Sequence, residues 1–149
     1  MNKYNKLIDK AEYYIDEDLK IVSVLANLSA YLYYNIENLN WVGFYLFEDN
    51  ELHLGPFQGK PAVVTIELDS GVCGVCATKR ETIIVKDVHE FSGHIACDMD
   101  SNSEIVIPII SKSGELFGVL DIDSPLLDRF DSELEEALEI IGHLLVDIL

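Results

Sequence analysis

Three cysteines, at positions 73, 76 and 97, carry the most reactive side chains in this sequence. Cys97 lies in a stretch without clean alternation, and a thiol on a loop can meet a substrate at the solvent boundary. Cys73 and Cys76 have C-x-x-C spacing at the start of a predicted short helix, whose N–H groups and dipole stabilise a thiolate. An odd number of cysteines does not indicate a stable disulfide framework. These positions could therefore perform thiol redox chemistry, bind a metal or be inert core residues.

A metal site built on Cys73 and Cys76 would need two further ligands. Cys97 and either His89 or His94 are the nearest candidates in the sequence. Because the sequence has no second C-x-x-C and no H-x-H spacing, we predict that the chain has no metal site.

Two strand-like runs carry carboxylates among apolar residues. Glu104 opens one run, and Asp121 and Asp123 flank Ile122 at the end of the other. Since side chains alternate along a strand, Asp121 and Asp123 point to one face. Like charges on one face repel unless they meet a cation or share a proton. These carboxylates could bind a ligand ammonium group or donate a proton to a leaving oxygen, and a solvated strand end is the alternative.

Trp41, the single tryptophan, and Tyr45 are evenly spaced on another predicted strand and so share a face. Aromatic walls suit a methyl group or a sulfur atom, and their π-faces attract a cation. Such a pair is also typical of a hydrophobic core. Trp41 and Tyr45 are therefore candidate substrate-binding residues, with a purely structural role as the alternative.

Helices are predicted at both ends of the chain. The segment from Lys3 to Asn38 has no Pro or Gly and has apolar residues at helical spacing, with a break at Asp16-Glu17-Asp18. The tail from Asp131 to Leu149 has one apolar stripe, and Asp131 is its predicted N-cap. A short helix is predicted from Val72 to Lys79.

Six β-type runs lie between these helices, which predicts an α+β fold with a central antiparallel sheet. Tight-turn signals at Asp49-Asn50 and Ser113-Gly114 predict two hairpins. We expect the N- and C-terminal helices on one face of the sheet and a ligand pocket on the other, under a loop from Lys86 to Asn102. The predicted runs are Trp41 to Phe47, Leu52 to Leu54, Val63 to Leu68, Thr82 to Val85, Ile105 to Ile110 and Leu116 to Ile122. Since no linker-like stretch or repeat divides the chain, residues 1–149 are predicted to form a single domain.

The net charge of -17 over 149 residues argues against some classes of partner. Such a field repels nucleic-acid phosphates and anionic lipid, so we predict binding to neither nucleic acid nor membranes. No apolar run is long enough for a membrane span, and the N-terminus has no apolar secretion signal. A cytoplasmic location is the resulting expectation.

Seven motifs, in order along the chain, resemble the free methionine-R-sulfoxide reductases. These are single-domain GAF proteins that act on the free amino acid, and the resemblance covers essentially the whole chain. A GAF sensor domain shares the fold but lacks the fifth of these motifs. The motifs are Asn40-Trp41-Val42-Gly43-Phe44-Tyr45-Leu46, Leu54-Gly55-Pro56-Phe57-Gln58-Gly59-Lys60-Pro61-Ala62, Gly71-Val72-Cys73-Gly74, Asp87-Val88-His89, Gly93-His94-Ile95-Ala96-Cys97-Asp98, Ser103-Glu104-Ile105-Val106 and Gly118-Val119-Leu120-Asp121-Ile122-Asp123-Ser124-Pro125.

The resemblance implies a role for the cysteines. The catalytic cysteine of the family falls on Cys97, and a second family cysteine falls on Cys73. The third family cysteine, which usually resolves the catalytic one, falls on Val63, and this departure leaves the resolving step open. Cys73 is the first substitute, and Cys76, which is not part of the family motif, is the second.

The resemblance also implies the reaction, which is the thiol-dependent reduction of free L-methionine-(R)-S-oxide to methionine without a bound cofactor. In this interpretation, Cys97 attacks the sulfoxide sulfur and a carboxylic acid protonates the departing oxygen. The resulting sulfenic acid condenses with a second thiol to a disulfide, which thioredoxin or another dithiol reduces. The residues predicted to bind the substrate are Trp41, Tyr45, Glu104, Asp121 and Asp123.

Three other functions are compatible with the same residues. They are a ligand-binding GAF sensor, a thiol redox sensor or metal-binding protein that uses the cysteines without turnover, and an inactive relative that lost recycling through Val63. Thiol-dependent turnover of free methionine sulfoxide separates an enzyme from the first two, and single-turnover assays identify the third. The apolar terminal helices could also pair into a homodimer, although packing within one chain explains them equally well.

Overall fold

The computed structural model describes residues 2–93 and 99–149. The helices are α1 (Asn5–Ala11), α2 (Ile21–Asn35), α3 (Gly71–Lys79) and α4 (Ser132–Val146), with 3₁₀ turns at Glu12–Tyr14 and Val88–Glu90. The strands are β1 (Trp41–Glu48), β2 (Glu51–Gln58), β3 (Thr65–Glu67), β4 (Ile83–Val85), β5 (Ser103–Ile110) and β6 (Leu116–Ser124). Each predicted helix and strand is therefore present, and the helical break falls where the acidic triplet predicts it.

The strands form one sheet in the order β3-β2-β1-β6-β5-β4, and every neighbouring pair is antiparallel. Both predicted hairpins are confirmed. Asp49 and Asn50 have φ of 55° and 66°, the left-handed values that a two-residue turn between antiparallel strands requires. In the β5–β6 turn, Gly114 has φ of 86° and the Ser111 N–H donates to the Glu115 carbonyl at 2.8 Å. The α+β prediction with about six strands is confirmed.

Strand β2 is longer than predicted. The prediction ended at Leu54 because Gly and Pro are typical of strand ends. Gly43 pairs with Phe57 and Tyr45 pairs with Leu54, so Phe44 alone lies opposite the Gly55-Pro56 dipeptide. Such a bulge leaves one residue out of the ladder, and a proline without an N–H is tolerated there. The strand therefore continues to Gln58, and this extension brings Phe57 to the site described below.

One face of the sheet, here called the helical face, is covered by the terminal helices α1, α2 and α4. The Asp131 side chain accepts a hydrogen bond from the Leu134 N–H at 2.9 Å and caps α4, as predicted. The backbone hydrogen bond to Leu134 is also the main reason that the pKa of Asp131 is lowered. The fully buried core residues of this face are apolar and include Leu25, Leu28, Leu32, Phe44, Leu120, Ile122, Leu134 and Ile141.

The opposite face, here called the site face, carries the short helix α3. Val72, Cys76 and Ala77 of α3 pack against Val106 and Val119 in a second apolar cluster. The site face is therefore closed by a helix toward one end of its strands. The loop predicted from Lys86 to Asn102 contains the Val88–Glu90 turn and, between Gly93 and Met99, the five residues that fall outside the described part of the chain. Within the described ranges, no helix is long and apolar enough to cross a membrane.

Candidate active site

The three predicted carboxylates lie together on the site face. Strand pairing places Glu104 on β5 directly opposite Asp123 on β6, and Asp121 opposite Val106. Asp121 and Asp123 point to the same face because they are two residues apart on one strand. The same register places Trp41 of β1 opposite Asp123. Strand alternation and antiparallel pairing are therefore sufficient to group three acids that are up to 19 positions apart in the chain.

All three carboxylates are buried, which excludes the alternative of a solvated strand end. The exposed fractions are 3% for Glu104, 0% for Asp121 and 2% for Asp123. Burial raises the pKa of Glu104 well above its usual value, and the neighbouring Asp123 raises it further. The pKa of Asp123 is likewise raised well above its usual value by burial and then by the charge of Asp121. The cluster therefore favours holding protons or binding a cation at neutral pH.

Cys73 lies beside these acids, at the N-terminal end of α3. The Sγ of Cys73 and carboxylate oxygens of Glu104 and Asp121 all lie within 4.8 Å of one another. Cys73 is 4% exposed, so the thiol is part of the wall of the acidic cluster. The structure thus groups one predicted cysteine with the predicted carboxylates.

Cys76 has a different environment. It is fully buried, and its thiol donates to the Val106 carbonyl at 3.6 Å. Burial raises the pKa of Cys76, and the charges of Asp121 and Glu104 raise it further. A buried thiol with a raised pKa is a poor nucleophile because the reactive species is the thiolate. Cys97 lies outside the described residues.

Trp41 and Tyr45 form an aromatic wall on the same face. Their rings are stacked with centroids 6.0 Å apart, and both side chains are fully buried. The Trp41 Nε1–H donates to the Lys60 carbonyl at 3.0 Å, and the Tyr45 hydroxyl donates to the Val63 carbonyl at 2.8 Å. The polar ends of both rings are thus anchored by the segment after β2, and these hydrogen bonds fix the orientation of the two rings.

Two glycines make room for the Trp41 ring. A Cβ on Gly59, which has φ of 135°, would lie 2.5 Å from Trp41 Cδ1, and a Cβ on Gly43 would lie 2.7 Å from Trp41 Cη2. Cβ atoms essentially never make non-bonded contacts below 3.0 Å, so a larger residue at either position would displace the indole ring. These glycines belong to the first two family motifs, and their role is to seat the tryptophan.

Phe57 and Ser101 belong to the site but were missed at the sequence level. Phe57 stacks on Trp41 with centroids 5.1 Å apart. Period-two alternation from Leu54 would assign Phe57 to the opposite face, because the bulge at Gly55-Pro56 shifts the register. Ser101, 3% exposed, hydrogen-bonds the Asp123 side chain and accepts from Asn40 Nδ2 at 3.0 Å. No pattern singles out Ser101, because its contacts depend on how the loop before β5 returns to the sheet.

The chain on either side of residues 94–98 is held by polar contacts. Lys60 Nζ lies 2.9 Å from Asp100 Oδ2 and connects the segment after β2 to the segment before β5. His89 Nε2 lies 3.0 Å from the Asn102 side-chain oxygen, and the Asp87 side chain accepts from the His89 N–H. The Asp87-Val88-His89 motif therefore holds the chain before residue 94 to Asn102, which lies just before β5.

The arrangement can bind a small cationic group, move a proton and contact an apolar group within one region of the site face. The acids provide the first two capacities, and the stacked rings provide the third. A thiol lies next to the acids, so redox chemistry is also available.

Comparisons with known proteins identify the family of this chain. Residues 28–149 match the GAF domain family. The chain is 45% identical to the free methionine-R-sulfoxide reductase of Escherichia coli K12 over 141 residues, which cover 88% of this chain and 85% of that protein. It is 44% identical to the Saccharomyces cerevisiae free methionine-R-sulfoxide reductase over 137 residues, which cover 87% of this chain and 76% of that protein.

A solved structure shows the same likeness. The free methionine-R-sulfoxide reductase from Neisseria meningitidis, in complex with its substrate, superposes with a TM-score of 0.91 at 37% identity. The superposition covers 97% of this chain and 87% of that one. This chain is a GAF-domain protein that belongs to the free methionine-R-sulfoxide reductase family.

Proposed function

We propose that this protein reduces free L-methionine-(R)-S-oxide to methionine by a thiol cycle centred on Cys97. The observation that carries the proposal is the pairing of three buried carboxylates with a stacked aromatic wall on one face of the sheet. A free amino acid offers an ammonium group to the carboxylates and a methylsulfinyl group to the rings. The names of the Escherichia coli and Neisseria meningitidis relatives state the same activity.

The carboxylates Glu104, Asp121 and Asp123 bind the substrate ammonium. An ammonium group has three N–H donors, and the three carboxylates present acceptors to it in a site shielded from water. A peptide-bound methionine sulfoxide has no such charge and would leave the buried carboxylates without their cation. Because an unpaired buried charge is costly, the site discriminates against protein substrates.

The rings of Trp41 and Tyr45 contact the substrate methyl group. Their polar ends are already bonded to the Lys60 and Val63 carbonyls, so the rings do not have to be ordered when the substrate binds. A preformed wall orients the sulfoxide and thereby favours one epimer at sulfur.

The chemical step takes place between Cys97 and the sulfoxide. The Cys97 thiolate attacks the sulfoxide sulfur while a protonated carboxyl of the cluster gives its proton to the sulfoxide oxygen. The resulting hydroxyl group then moves from the substrate sulfur to Cys97 Sγ as the transient bond between the two sulfur atoms breaks. The net result is methionine and a sulfenic acid on Cys97, so the thiolate is oxidised by two electrons and the sulfoxide is reduced by two. The raised pKa values of Glu104 and Asp123 support a proton donor in this cluster at neutral pH.

A second thiol then completes the cycle. It condenses with the sulfenic acid, water leaves, and a disulfide forms that thioredoxin or another dithiol reduces by exchange. Cys73 is the better resolving residue because its sulfur lies beside the catalytic carboxylates. Cys76 is fully buried and hydrogen-bonded to Val106, so its reaction would require local opening of the core.

The test is turnover of both free sulfoxide epimers by wild type and by single Cys-to-Ser variants. We expect reduction of the free R epimer only, and loss of detectable turnover in Cys97→Ser. Cys73→Ser should lower thioredoxin-driven turnover more than dithiothreitol-driven turnover, because a small dithiol can reduce the sulfenic acid directly. Cys76→Ser is the matched control and should change the ratio of the two rates little. Undiminished turnover in Cys97→Ser would refute the proposed nucleophile.

A further inference from the structure

The group formed by Cys73, Glu104 and Asp121 combines the proposed resolving thiol with two of the carboxylates proposed to bind the substrate ammonium. An ammonium site needs carboxylates alone, whereas here a thiol sulfur and two carboxylate oxygens converge within 4.8 Å of one another. We propose that the reduced protein binds one zinc ion at this cluster and that the ion excludes the substrate. The exclusion rests on the function proposed above, because it requires the substrate ammonium to occupy the same carboxylates.

The ligand set fits zinc by number and spacing. Tetrahedral zinc with bonds of about 2.3 Å to sulfur and about 2.0–2.2 Å to oxygen keeps its ligands about 3.3–3.7 Å apart. The three observed atoms are mutually within 4.8 Å, so side-chain movements of about 1 Å or less would close the coordination sphere. The donors come from α3, β5 and β6, which are regular elements that keep the group together.

A fourth ligand is available at the same place. Asp123 is 2% exposed, and among the described residues its Oδ1 has no hydrogen-bond partner although the atom is fully buried. Asp123 lies directly opposite Glu104 in the β5–β6 pairing, and the charge of Asp121 raises its pKa, so the group lies beside two of the proposed ligands. A buried polar atom without a partner is costly, and coordination of a cation would satisfy it.

The chemistry of the donors selects the metal. Calcium and magnesium prefer an all-oxygen shell, whereas zinc accepts thiolate and carboxylate ligands in one site. The net charge of -17 raises the concentration of cations near the surface. The ligand set differs from the cysteine–histidine site that the sequence argued against, because only Cys73 is common to both.

Zinc at this position would hold the enzyme in an unreactive state. The ion would occupy the carboxylates that bind the ammonium, and it would coordinate Cys73 as a thiolate. Reduced protein would be the form that binds the metal, because a disulfide sulfur at Cys73 could not bind zinc as a thiolate. The site would therefore respond to both metal supply and the thiol state of Cys73.

The experiment is a titration of the reduced protein with Co²⁺, followed by displacement with Zn²⁺. Cobalt reports a thiolate ligand through its sulfur-to-metal charge-transfer absorption. We expect one equivalent of cobalt, displacement by zinc and no displacement by magnesium. In Cys97→Ser, which cannot be oxidised by the substrate at position 97, we expect weaker apparent binding when free methionine-R-sulfoxide is present. Cys73→Ser should abolish the band, and Glu104→Gln should weaken binding by at least the roughly 10- to 100-fold that loss of an outer-shell partner causes, because Glu104 is a direct ligand, while Cys76→Ala should retain both the band and the affinity.

Failure of the site and failure of the enzyme are distinguishable, since metal binding is measured without turnover. A protein that reduces the sulfoxide but shows no Cys73-dependent band would overturn the zinc site and leave the reductase function intact. A Cys73-dependent band in a protein without turnover would support the metal site and contradict the reductase function. Circular dichroism of each variant excludes misfolding, and a band of unchanged intensity in both Cys73→Ser and Cys73→Ala would also overturn the site.

Discussion

The two faces of strand β6 are equally buried and have opposite chemistry. Leu120 and Ile122 point to the helical face, while Asp121 and Asp123 alternate with them and point to the site face. All four side chains are at most 2% exposed. Burial stabilises the first pair by roughly 1.5–3 kcal/mol per side chain, whereas it raises the free energy of any ionised carboxylate in the second pair. One strand therefore contributes to stability on one side and carries a functional group on the other.

This difference between the two faces shows that the buried acids of the site face do not stabilise the fold. A surface carboxylate improves solubility at little cost in free energy, but Glu104, Asp121 and Asp123 are buried and lie next to one another. The helical face, with its larger apolar cluster, stabilises the domain and offsets that cost. Functional sites commonly carry such locally unfavourable groups.

The largest expected effect comes from neutralising one acid of the site face. Asp121→Asn should lower kcat/KM for free methionine-R-sulfoxide by about 30- to 1,000-fold, because one charged partner of the ammonium is lost. The melting temperature should not fall by more than a few degrees, since removal of a buried like charge relieves repulsion. Steady-state kinetics and thermal unfolding of the same preparation measure both. Unchanged kcat/KM would mean that Asp121 does not contact the substrate.

The neighbouring residue on the same strand should give the opposite pattern. Leu120→Ala should lower the free energy of unfolding by about 2–5 kcal/mol, through lost burial and a new cavity. Its kcat/KM per folded molecule should stay near the wild-type value, because Leu120 faces the helices. Urea unfolding and active-site titration test this. A loss of kcat/KM as large as that of Asp121→Asn, in a protein that remains folded, would contradict the assignment of stability to one face and function to the other.

The effect of pH on stability should also come from the site face. Because the pKa values of Glu104 and Asp123 are raised, the native state retains protons that the unfolded chain releases above about pH 4–5. The free energy of unfolding should therefore fall as pH rises from about 5 to about 8, by up to about 1.4 kcal/mol per pH unit for each proton released. Urea titrations across this range provide the measurement.

The matched control for this pH effect is the double variant Glu104→Gln/Asp123→Asn. It keeps the shape of the cluster and removes both titrating groups, so its stability should vary less with pH than that of wild type. The remaining variation would come from the surface charge. If the two proteins show the same pH dependence, the buried acids are not its source.

The smallest effect concerns the helical face. Asp131→Ala should cost about 0.5–2 kcal/mol by removing the α4 cap, without a change in kcat/KM. The pKa of Asp131 is lowered, so its stabilisation is present above the usual aspartate pKa and lost as pH falls through the native value. The free energy of unfolding therefore changes with pH in the opposite direction to the effect of the site face. Asp131→Asn is the matched control because asparagine also caps helices.

Much of the fold could be predicted because each element has a local pattern. The period of two along β6 was enough to assign Asp121 and Asp123 to one face, and the Asp49-Asn50 turn fixed the first hairpin. The pairing of Glu104 with Asp123 could not be derived from local pattern, because register depends on the β5–β6 turn and its bulge. Phe57 was missed because Gly55-Pro56 ended the predicted strand, whereas the fold accommodates that dipeptide as a bulge.

The central claim is that the buried acids bind the ammonium of a free amino acid. The most direct test is the ratio of kcat/KM for free and N-acetylated methionine-R-sulfoxide, measured in wild type and in Glu104→Gln/Asp123→Asn. We predict that wild type prefers the free form by at least about 100-fold and that the double variant loses most of this preference. Equal turnover of both forms by wild type would contradict the claim.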